Sequence, residues 1–183
     1  MNVPAHIYRS FVPVFSLGLL ALLSSPVFAA TDGNKDTTST GSAAVNANVP
    51  AKVKISGLAD FDFDTALATW DSGDLTESDT VCVWSSTEGY NVTISTDGGA
   101  FELVDIAATQ ANVPYSVSWT DIGGTPAAVT YNTALNGQAT NATNQNCTGG
   151  DTATLAVTLS GADLEAARAA DYTSTMTIVV ASE

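Results

Sequence analysis

Residues 81–95, VCVWSSTEGYNVTIS, decide the fold class. Two runs rich in valine, isoleucine and aromatic residues flank the turn-forming residues STEG, and Tyr90, Val92 and Ile94 occupy every second position. Strands favour such residues, and a short polar stretch containing glycine allows the chain to reverse between them. The stretch predicts two antiparallel strands, over residues 80–85 and 90–96.

Similar runs recur along most of the chain, separated by turn residues such as DGG. Short strands at this spacing are typical of an all-β antiparallel sandwich or barrel. The further predicted strands cover residues 51–56, 58–64, 100–106, 113–120, 129–135, 153–160 and 172–181. Residues 136–150 are predicted to form a loop, and residues 160–171 are the helical candidate, expected to form a turn or two.

The first 29 residues have the pattern of a secretory signal peptide. Arg9 precedes a mostly apolar run over residues 11–28, and the small residues Val27 and Ala29 stand at the positions of a signal-peptidase site. We expect cleavage after Ala29, although a membrane anchor is the alternative. The expected organisation is a signal peptide over residues 1–29, an N-terminal extension over 30–49 and one domain over 50–183.

Composition excludes several mechanisms. The only histidine, His6, lies in the predicted signal peptide, so Ser-His-Asp catalysis and histidine-ligated metal sites are excluded from the exported part. That part carries 19 acidic residues against Lys35, Lys52, Lys54 and Arg168. Nucleic acid is therefore not an expected partner. We predict no catalytic residues and no cofactor.

The cysteines number two, Cys82 and Cys147, and both follow the export signal. Disulfides form and persist in oxidising compartments, and neither residue lies in a C-x-x-C motif or beside a base. We predict a disulfide between them.

The stretch ADFDFDT, residues 59–65, carries three aspartates at alternate positions. A calcium loop of the EF-hand type requires glycine at its sixth position and glutamate at its twelfth, whereas this chain has Thr65 and Asp71 there. We therefore predict a strand with its phenylalanines towards the core, and no metal site. A surface calcium site remains an alternative, with these ligands: Asp60, Asp62 and Asp64.

Other functional readings of the side chains stay open. Paired carboxylates are the machinery of glycosidases, but with this many acids such pairs arise by chance. A sugar-stacking face is an alternative to core packing for the aromatic residues, which are Trp70, Trp84, Trp119, Tyr90, Tyr115 and Tyr131.

Both ends of the exported chain alternate between apolar and polar residues. Residues 43–55 carry alanine, valine or isoleucine at every second position, and Pro50 divides this run because it lacks the N–H for a strand ladder. The first part, residues 41–49, is a predicted strand that need not join the same sheet as residues 51–56. At the other end, Tyr172, Ser174, Met176, Ile178 and Val180 share one face of the last predicted strand.

These features resemble the spore coat protein U family, secreted pilin-like subunits of archaic chaperone-usher pili. The residues that carry the resemblance are GLADFDFDT, VCVWSSTEGYNVTIS, VPYSVSW and the ending ATLAVTLSGADLEAARAADYTSTMTIVVASE. The resemblance covers roughly residues 49–183. The chain departs from the family where Asp64 and Thr65 replace a common glycine, and its N-terminal segment is rich in alanine.

The resemblance implies an incomplete immunoglobulin-like sandwich that lacks its final strand and is completed by a strand from another molecule. A periplasmic chaperone would lend that strand first, and at an outer-membrane usher the N-terminal segment of another copy or a related subunit would replace it. The implied donor residues are Gly41, Ala43, Val45, Ala47 and Val49. The implied acceptor residues are Tyr172, Met176, Ile178 and Val180.

We therefore expect a non-enzymatic fimbrial subunit, exported through the periplasm to the cell surface, that polymerises by donor-strand exchange and serves adhesion or biofilm formation. The alternative is a secreted, monomeric β-sandwich that acts as an adhesin or carbohydrate-binding module.

Overall fold

The computed structural model describes residues 29–148 and 150–183. The predicted signal peptide lies outside the described residues except for Ala29. The chain divides into two compact units, Met1–Asn48 and Val49–Glu183, which are described separately below.

The described residues of the first unit contain a single β-bridge. The backbone N–H of Thr31 donates to the carbonyl of Ser42 at 2.8 Å, and the N–H of Ser42 donates to the carbonyl of Thr31 at 2.9 Å. Within this single chain residues 41–49 form no strand, and only Ser42 is paired. A strand gains its stability from a ladder of partners, which alternation of side chains does not itself supply.

The second unit is built almost entirely from antiparallel strands. Within its described residues the strands are β1 (Val53–Ser56), β2 (Leu75–Ser85), β3 (Gly89–Thr96), β4 (Glu102–Asp105), β5 (Val113–Pro114), β6 (Ser116–Asp121), β7 (Ala127–Ala128), β8 (Leu135–Ala139), β9 (Ala153–Leu159), β10 (Tyr172–Thr173) and β11 (Met176–Ser182). The two short helices described there are α1 (Asp64–Leu67) and α2 (Gly161–Ala166). No helix in the described part of the chain is long and apolar enough to cross a membrane.

The strands form two layers. The first layer is a five-stranded sheet in the order β1-β2-β9-β6-β7. The second consists of two three-stranded sheets, β11-β3-β8 and β10-β4-β5. All the pairings within these sheets are antiparallel, so the predicted all-β antiparallel fold is confirmed.

The hydrophobic core lies between the layers. Val81, Leu155 and Trp119 from the first layer are 0% exposed, as are Tyr90 and Ile94 from the second. These residues belong to one buried cluster. Alternation along β3 and β9 directs every second side chain into this core, which is why their sequence patterns predicted them well.

In the second unit, two predicted strands are wrong. Residues 57–63 follow β1 without strand pairing, and Asp64 then begins α1. Residues 129–134 form an irregular segment, and β8 starts only at Leu135. The rest of β8 lies in the range 136–150, which the sequence predicts to be a loop. In both places hydrogen bonds to neighbouring elements override the local pattern. For example, the N–H of Asn132 donates to the carbonyl of Ile94 at 2.8 Å.

The predicted strand over residues 113–120 is present but changes sheets. β5 pairs with β4 in the second layer, whereas β6 pairs with β9 in the first. Tyr115 lies at the transition, where its N–H donates to the carbonyl of Phe101 at 2.9 Å. The chain therefore crosses between the layers at Tyr115.

The helix observed at the predicted place, α2, is shorter than the candidate range 160–171. The hydroxyl of Ser160 accepts a hydrogen bond from the N–H of Asp163 at 3.1 Å and so caps the start of α2. The helix ends at Ala166.

Candidate functional site: a groove beside the C-terminal strand

The C-terminal strand lies at an edge of its sheet. β11 pairs with β3 from Met176 opposite Thr96 to Ser182 opposite Tyr90. Just upstream, β10 pairs with β4. Among the described residues, neither β10 nor β11 has a second strand partner. One row of backbone donors and acceptors is therefore free along this side.

The side chains of β11 alternate between the interior and solvent. Met176, Ile178 and Val180 are half-buried and pack against the core cluster. Val179 is 55% exposed and points to the other face. Tyr172 of β10 also packs against the core. The strand thus presents an apolar face beside a free edge, at the predicted acceptor residues.

The opposite wall of the groove is the irregular segment that follows β1. The backbone N–H of Ala59 donates to the carboxylate of Asp79 on β2 at 2.9 Å, which holds this segment against the first sheet. Phe61 and Phe63 are half-buried and pack against the core. A cavity of about 450 Å³ lies between this wall and β11, and Phe61, Met176 and Ile178 are among its lining residues.

A second cavity, of about 570 Å³, lies at the Tyr172 end of the groove. It shares Phe61 and Phe63 with the first cavity and adds Leu164 of α2. The charged side chains at its margin are Asp62, Asp64, Arg168 and Asp171. The groove is therefore apolar inside and charged at this end.

One polar contact joins two residues that line the first cavity. The phenolic oxygen of Tyr115 lies 3.2 Å from the hydroxyl of Ser174, at the break between β10 and β11. Burial raises the pKa of Tyr115 above its ordinary value of 10.0. This contact gives the apolar groove one hydrogen-bonding point.

The three aspartates of ADFDFDT do not lie along one face of a strand, contrary to the prediction. The carboxylate of Asp62 accepts a hydrogen bond from the N–H of Asp64 at 2.9 Å, in a local turn that leads into α1. Asp60 lines the first cavity, while Asp62 and Asp64 line the second. Within residues 29–148 and 150–183, no group of three or more His, Cys, Asp or Glu side chains could hold a metal ion.

The residues predicted to form the donor strand are divided between the two units. Gly41, Ala43, Val45 and Ala47 belong to the first unit, and Val49 begins the second. The side chain of Val45 is 96% exposed and that of Val49 is 81% exposed. Apart from the pairing of neighbouring Ser42, the described residues around them form no β-bridge.

The disulfide lies away from the groove lining. Cys82 of β2 and Cys147 are bonded to each other, as the sequence predicts. Next to it, the ammonium of Lys54 on β1 donates to the side-chain oxygen of Asn146 at 3.1 Å. These contacts attach the loop around Cys147 to the first sheet.

The aromatic residues do not form a shared exposed platform for sugars. Tyr90 and Trp119 are 0% exposed and belong to the core. Phe101 instead stacks on Tyr115, with ring centroids 5.8 Å apart. The sequence pattern predicted that Phe61 and Phe63 face the core, but it did not predict that they also line the groove. Their apolar alternation with acids was the available signal.

Comparisons with known proteins support the fold. No family model matches this chain, and no curated protein matches it. Among solved structures, it is similar to a chain from a chaperone-tip adhesin complex that is vital for synergistic activation of CFA/I fimbriae biogenesis. The two are 15% identical with a TM-score of 0.53, and the match covers 72% of this chain and 41% of that chain. At this identity the likeness shows the fold, an antiparallel β-sandwich found in a fimbrial complex.

Proposed function

We propose that this chain is a non-enzymatic structural subunit of a fimbrium. The observation that carries the proposal is the free edge of β11 beside an apolar groove. An unpaired edge with half-buried side chains is suited to receive an added strand, because main-chain hydrogen bonds supply affinity and alternating side chains set the register.

The segment that completes the groove is residues 41–49 of another copy or of a related subunit. Its small or apolar residues at positions 41, 43, 45, 47 and 49 have the same period as the inward-facing residues of β11. The resulting polymer forms by donor-strand exchange, in which each subunit donates its N-terminal segment and accepts one in its groove.

The proposed partners are a periplasmic chaperone, which occupies the groove before assembly, and an outer-membrane usher, at which the exchange takes place. The proposed location is a fimbrium on the cell surface, acting in adhesion or biofilm formation. The shared fold with a chain of a fimbrial chaperone-adhesin complex supports this setting.

The test is to express the exported chain with and without residues 31–49 and to add a peptide spanning residues 41–49. We expect the intact chain to polymerise, and the truncated chain to unfold easily and to be stabilised by the peptide. A peptide with the same composition in scrambled order is the control. A truncated chain that is a stable monomer and indifferent to the peptide would instead support the monomeric adhesin or carbohydrate-binding module.

A further inference from the structure

The dipeptide Asn136–Gly137 lies in an irregular part of β8. Leu135, just before it, pairs with Val92 of β3. Gln138, just after it, pairs with Tyr90, so two residues of β8 stand opposite one residue of β3. This arrangement is a β-bulge, in which the extra residue leaves the regular ladder. Both residues of the dipeptide are exposed, so the bulge presents their peptide group to solvent.

The backbone of Gly137 has a conformation that glycine adopts more readily than any other residue. Its φ is 72°, so a side chain would be strained there although nothing lies within 4 Å of the place that a Cβ would occupy. The bulge therefore requires glycine at this position. Because glycine carries no side chain, its backbone nitrogen is unhindered on the approach from the asparagine before it.

Two side chains contact the peptide group between these residues. The backbone N–H of Gly137 donates to the carboxylate of Glu183 at 3.1 Å. The carbonyl of Asn136 accepts from the side-chain amide of Gln138 at 3.0 Å. The backbone N–H of Glu183 donates to the carbonyl of Gly89 at 3.2 Å, which attaches Glu183 to β3. A carboxylate and an amide therefore contact opposite ends of one exposed peptide group.

We propose that Asn136 is a site of spontaneous deamidation, which Glu183 restrains and Gln138 promotes. The backbone nitrogen of Gly137 loses its proton to water and attacks the side-chain carbonyl carbon of Asn136. A carbon–nitrogen bond forms and closes a succinimide ring, while the bond from that carbon to the side-chain nitrogen breaks. The side-chain nitrogen takes up a proton and leaves as ammonia. Water then opens the ring on either side, which gives aspartate or isoaspartate.

The two contacts act in opposite directions because the attacking nitrogen is anionic. A nearby like charge disfavours an anion, so the carboxylate of Glu183 makes the proton of Gly137 harder to remove. A hydrogen bond to an anion favours it, and a deprotonated peptide group shares its charge with the oxygen that accepts from Gln138. No other asparagine after residue 29 is followed by glycine. We therefore expect the reaction at Asn136 before any other asparagine.

The isoaspartate product should disturb β8. Its backbone passes through the former side-chain carbon and so contains one more atom between residues 136 and 137. The pairs on either side of the bulge involve Tyr90 and Val92, which are 0% exposed and fixed in the core. The longer backbone has to disturb at least one of these pairs. Deamidation should therefore loosen β8, which lies at the edge of its sheet.

The first experiment incubates the full exported chain at neutral pH and quantifies aspartate and isoaspartate at each asparagine by peptide mapping. Glu183→Ala should raise the rate at Asn136 about threefold, as expected for the loss of one exposed hydrogen bond to a charged group, and Gln138→Ala should lower it. Glu183→Gln keeps an acceptor without the charge and should be intermediate. Conversion of Asn136 no faster than that of Asn141, which alanine follows, would overturn the site. Equal rates for the wild type and Glu183→Ala would overturn the restraint.

The same incubation in concentrated urea separates these contacts from other effects of the substitutions. In the unfolded chain the wild type, Glu183→Ala and Gln138→Ala should react at nearly the same rate, because both hydrogen bonds are lost. Differences of the same size in urea would overturn the roles of the two side chains. Asn136→Gln is the blocked control, because its longer side chain closes a ring much more slowly.

The second experiment separates the isoaspartate form by ion exchange and measures its urea denaturation. Its midpoint should be lower than that of Asn136→Asp, which carries the same charge without the extra backbone atom. Equal midpoints would overturn the effect on β8. Neither experiment involves assembly, so these outcomes do not bear on the proposed function.

Discussion

The indole Nε1 of Trp119 donates a hydrogen bond to the phenolic oxygen of Tyr90 at 3.1 Å, in the middle of the core. The two rings meet edge to face, with centroids 6.3 Å apart and planes at 78°. Trp119 belongs to β6 in the first layer and Tyr90 to β3 in the second. This pair therefore joins the two layers by both a polar and an aromatic contact.

Removing the acceptor of this bond should destabilise the fold. In Tyr90→Phe the indole N–H of Trp119 stays buried without a partner, so we expect the free energy of unfolding to fall by about 1–3 kcal/mol. Urea denaturation at neutral pH measures the change. Tyr131→Phe is the matched control, because its hydroxyl donates a longer bond, 3.3 Å to the carbonyl of Thr96, from a half-buried position. A smaller loss for Tyr90→Phe than for Tyr131→Phe would contradict the expectation.

Tyr90 should also make stability depend on alkaline pH. Burial raises the pKa of Tyr90 from 10.0 to about 12. Its contribution is fully present below pH 10, because the phenol is then neutral in both states. It is lost as the pH rises towards 12, because the unfolded chain releases the proton first. We expect the wild type to lose about 2 kcal/mol more than Tyr90→Phe across this range, measured by denaturation at stepped pH.

Asp105 should make the stability of the fold depend on pH in the acidic range. Its carboxylate accepts hydrogen bonds from the backbone N–H groups of Thr109, Gln110 and Ala107, at 2.6, 2.8 and 3.0 Å. The bond from Thr109 is the largest cause of a pKa below the ordinary 3.8. Its contribution is therefore present above pH 3.8 and is lost as the pH falls through the lower, folded-state pKa.

The test of this acid dependence is Asp105→Asn, which should melt at a lower temperature than the wild type at neutral pH. The gap between the two melting temperatures should narrow as the pH is lowered below 3.8. Glu102→Gln on the same strand is the matched change from acid to amide. A gap that stays constant with pH would show that the effect is not one of ionisation.

The disulfide should contribute substantially to stability. Cys82 and Cys147 are 65 residues apart in the sequence, and closing a loop of that length is worth about 4 kcal/mol in the chain-entropy model. We expect reduction to lower the midpoint of urea denaturation. The variant with serine at both positions should have the same lowered midpoint with or without reductant, and a midpoint equal to that of the oxidised wild type would refute the estimate.

Substitutions at two neighbouring residues of β11 should distinguish a loss of contact in the groove from a change on the outer face of the strand. Ile178→Ala removes an inward side chain from the groove, and we expect assembly or binding of the peptide over residues 41–49 to weaken about tenfold, from the loss of roughly 1–2 kcal/mol of apolar contact. Val179→Ala shortens the adjacent, outward side chain, which is 55% exposed, and should leave binding unchanged. Denaturation of each variant without peptide separates a loss of groove contact from a loss of folding.

Prediction from sequence succeeded where one strand has a buried face and a polar face. β3, β9 and β11 follow the alternation of their residues, because each lies in a sheet with one side on the core. The predicted face of the last strand, with Met176, Ile178 and Val180, is the one that packs inward. The disulfide partners also followed from the count of cysteines and the predicted export signal.

Prediction failed where polar local contacts or partner strands decided the conformation. Phe61 and Phe63 alternate as in a strand, but the turn made by Asp62 leads into a helix at Asp64 and no ladder forms. β8 contains asparagine and glycine, which strands disfavour, yet it pairs with β3. The position of β8 depends on the free edge of β3, with which it pairs. The local residue pattern of β8 does not predict this pairing.

Residue types and their spacing were enough to predict the all-β class, the inward face of the terminal strand and the disulfide, and they show that no histidine follows residue 6. These follow from residue type and period, which are local properties. Two features depend on tertiary packing: the segment after β1 leaves its sheet, and β11 keeps a free edge beside Phe61 and Phe63. The groove exists because of which strands pair across long separations, and such pairing depends on packing of the whole sandwich rather than on any one stretch of residues.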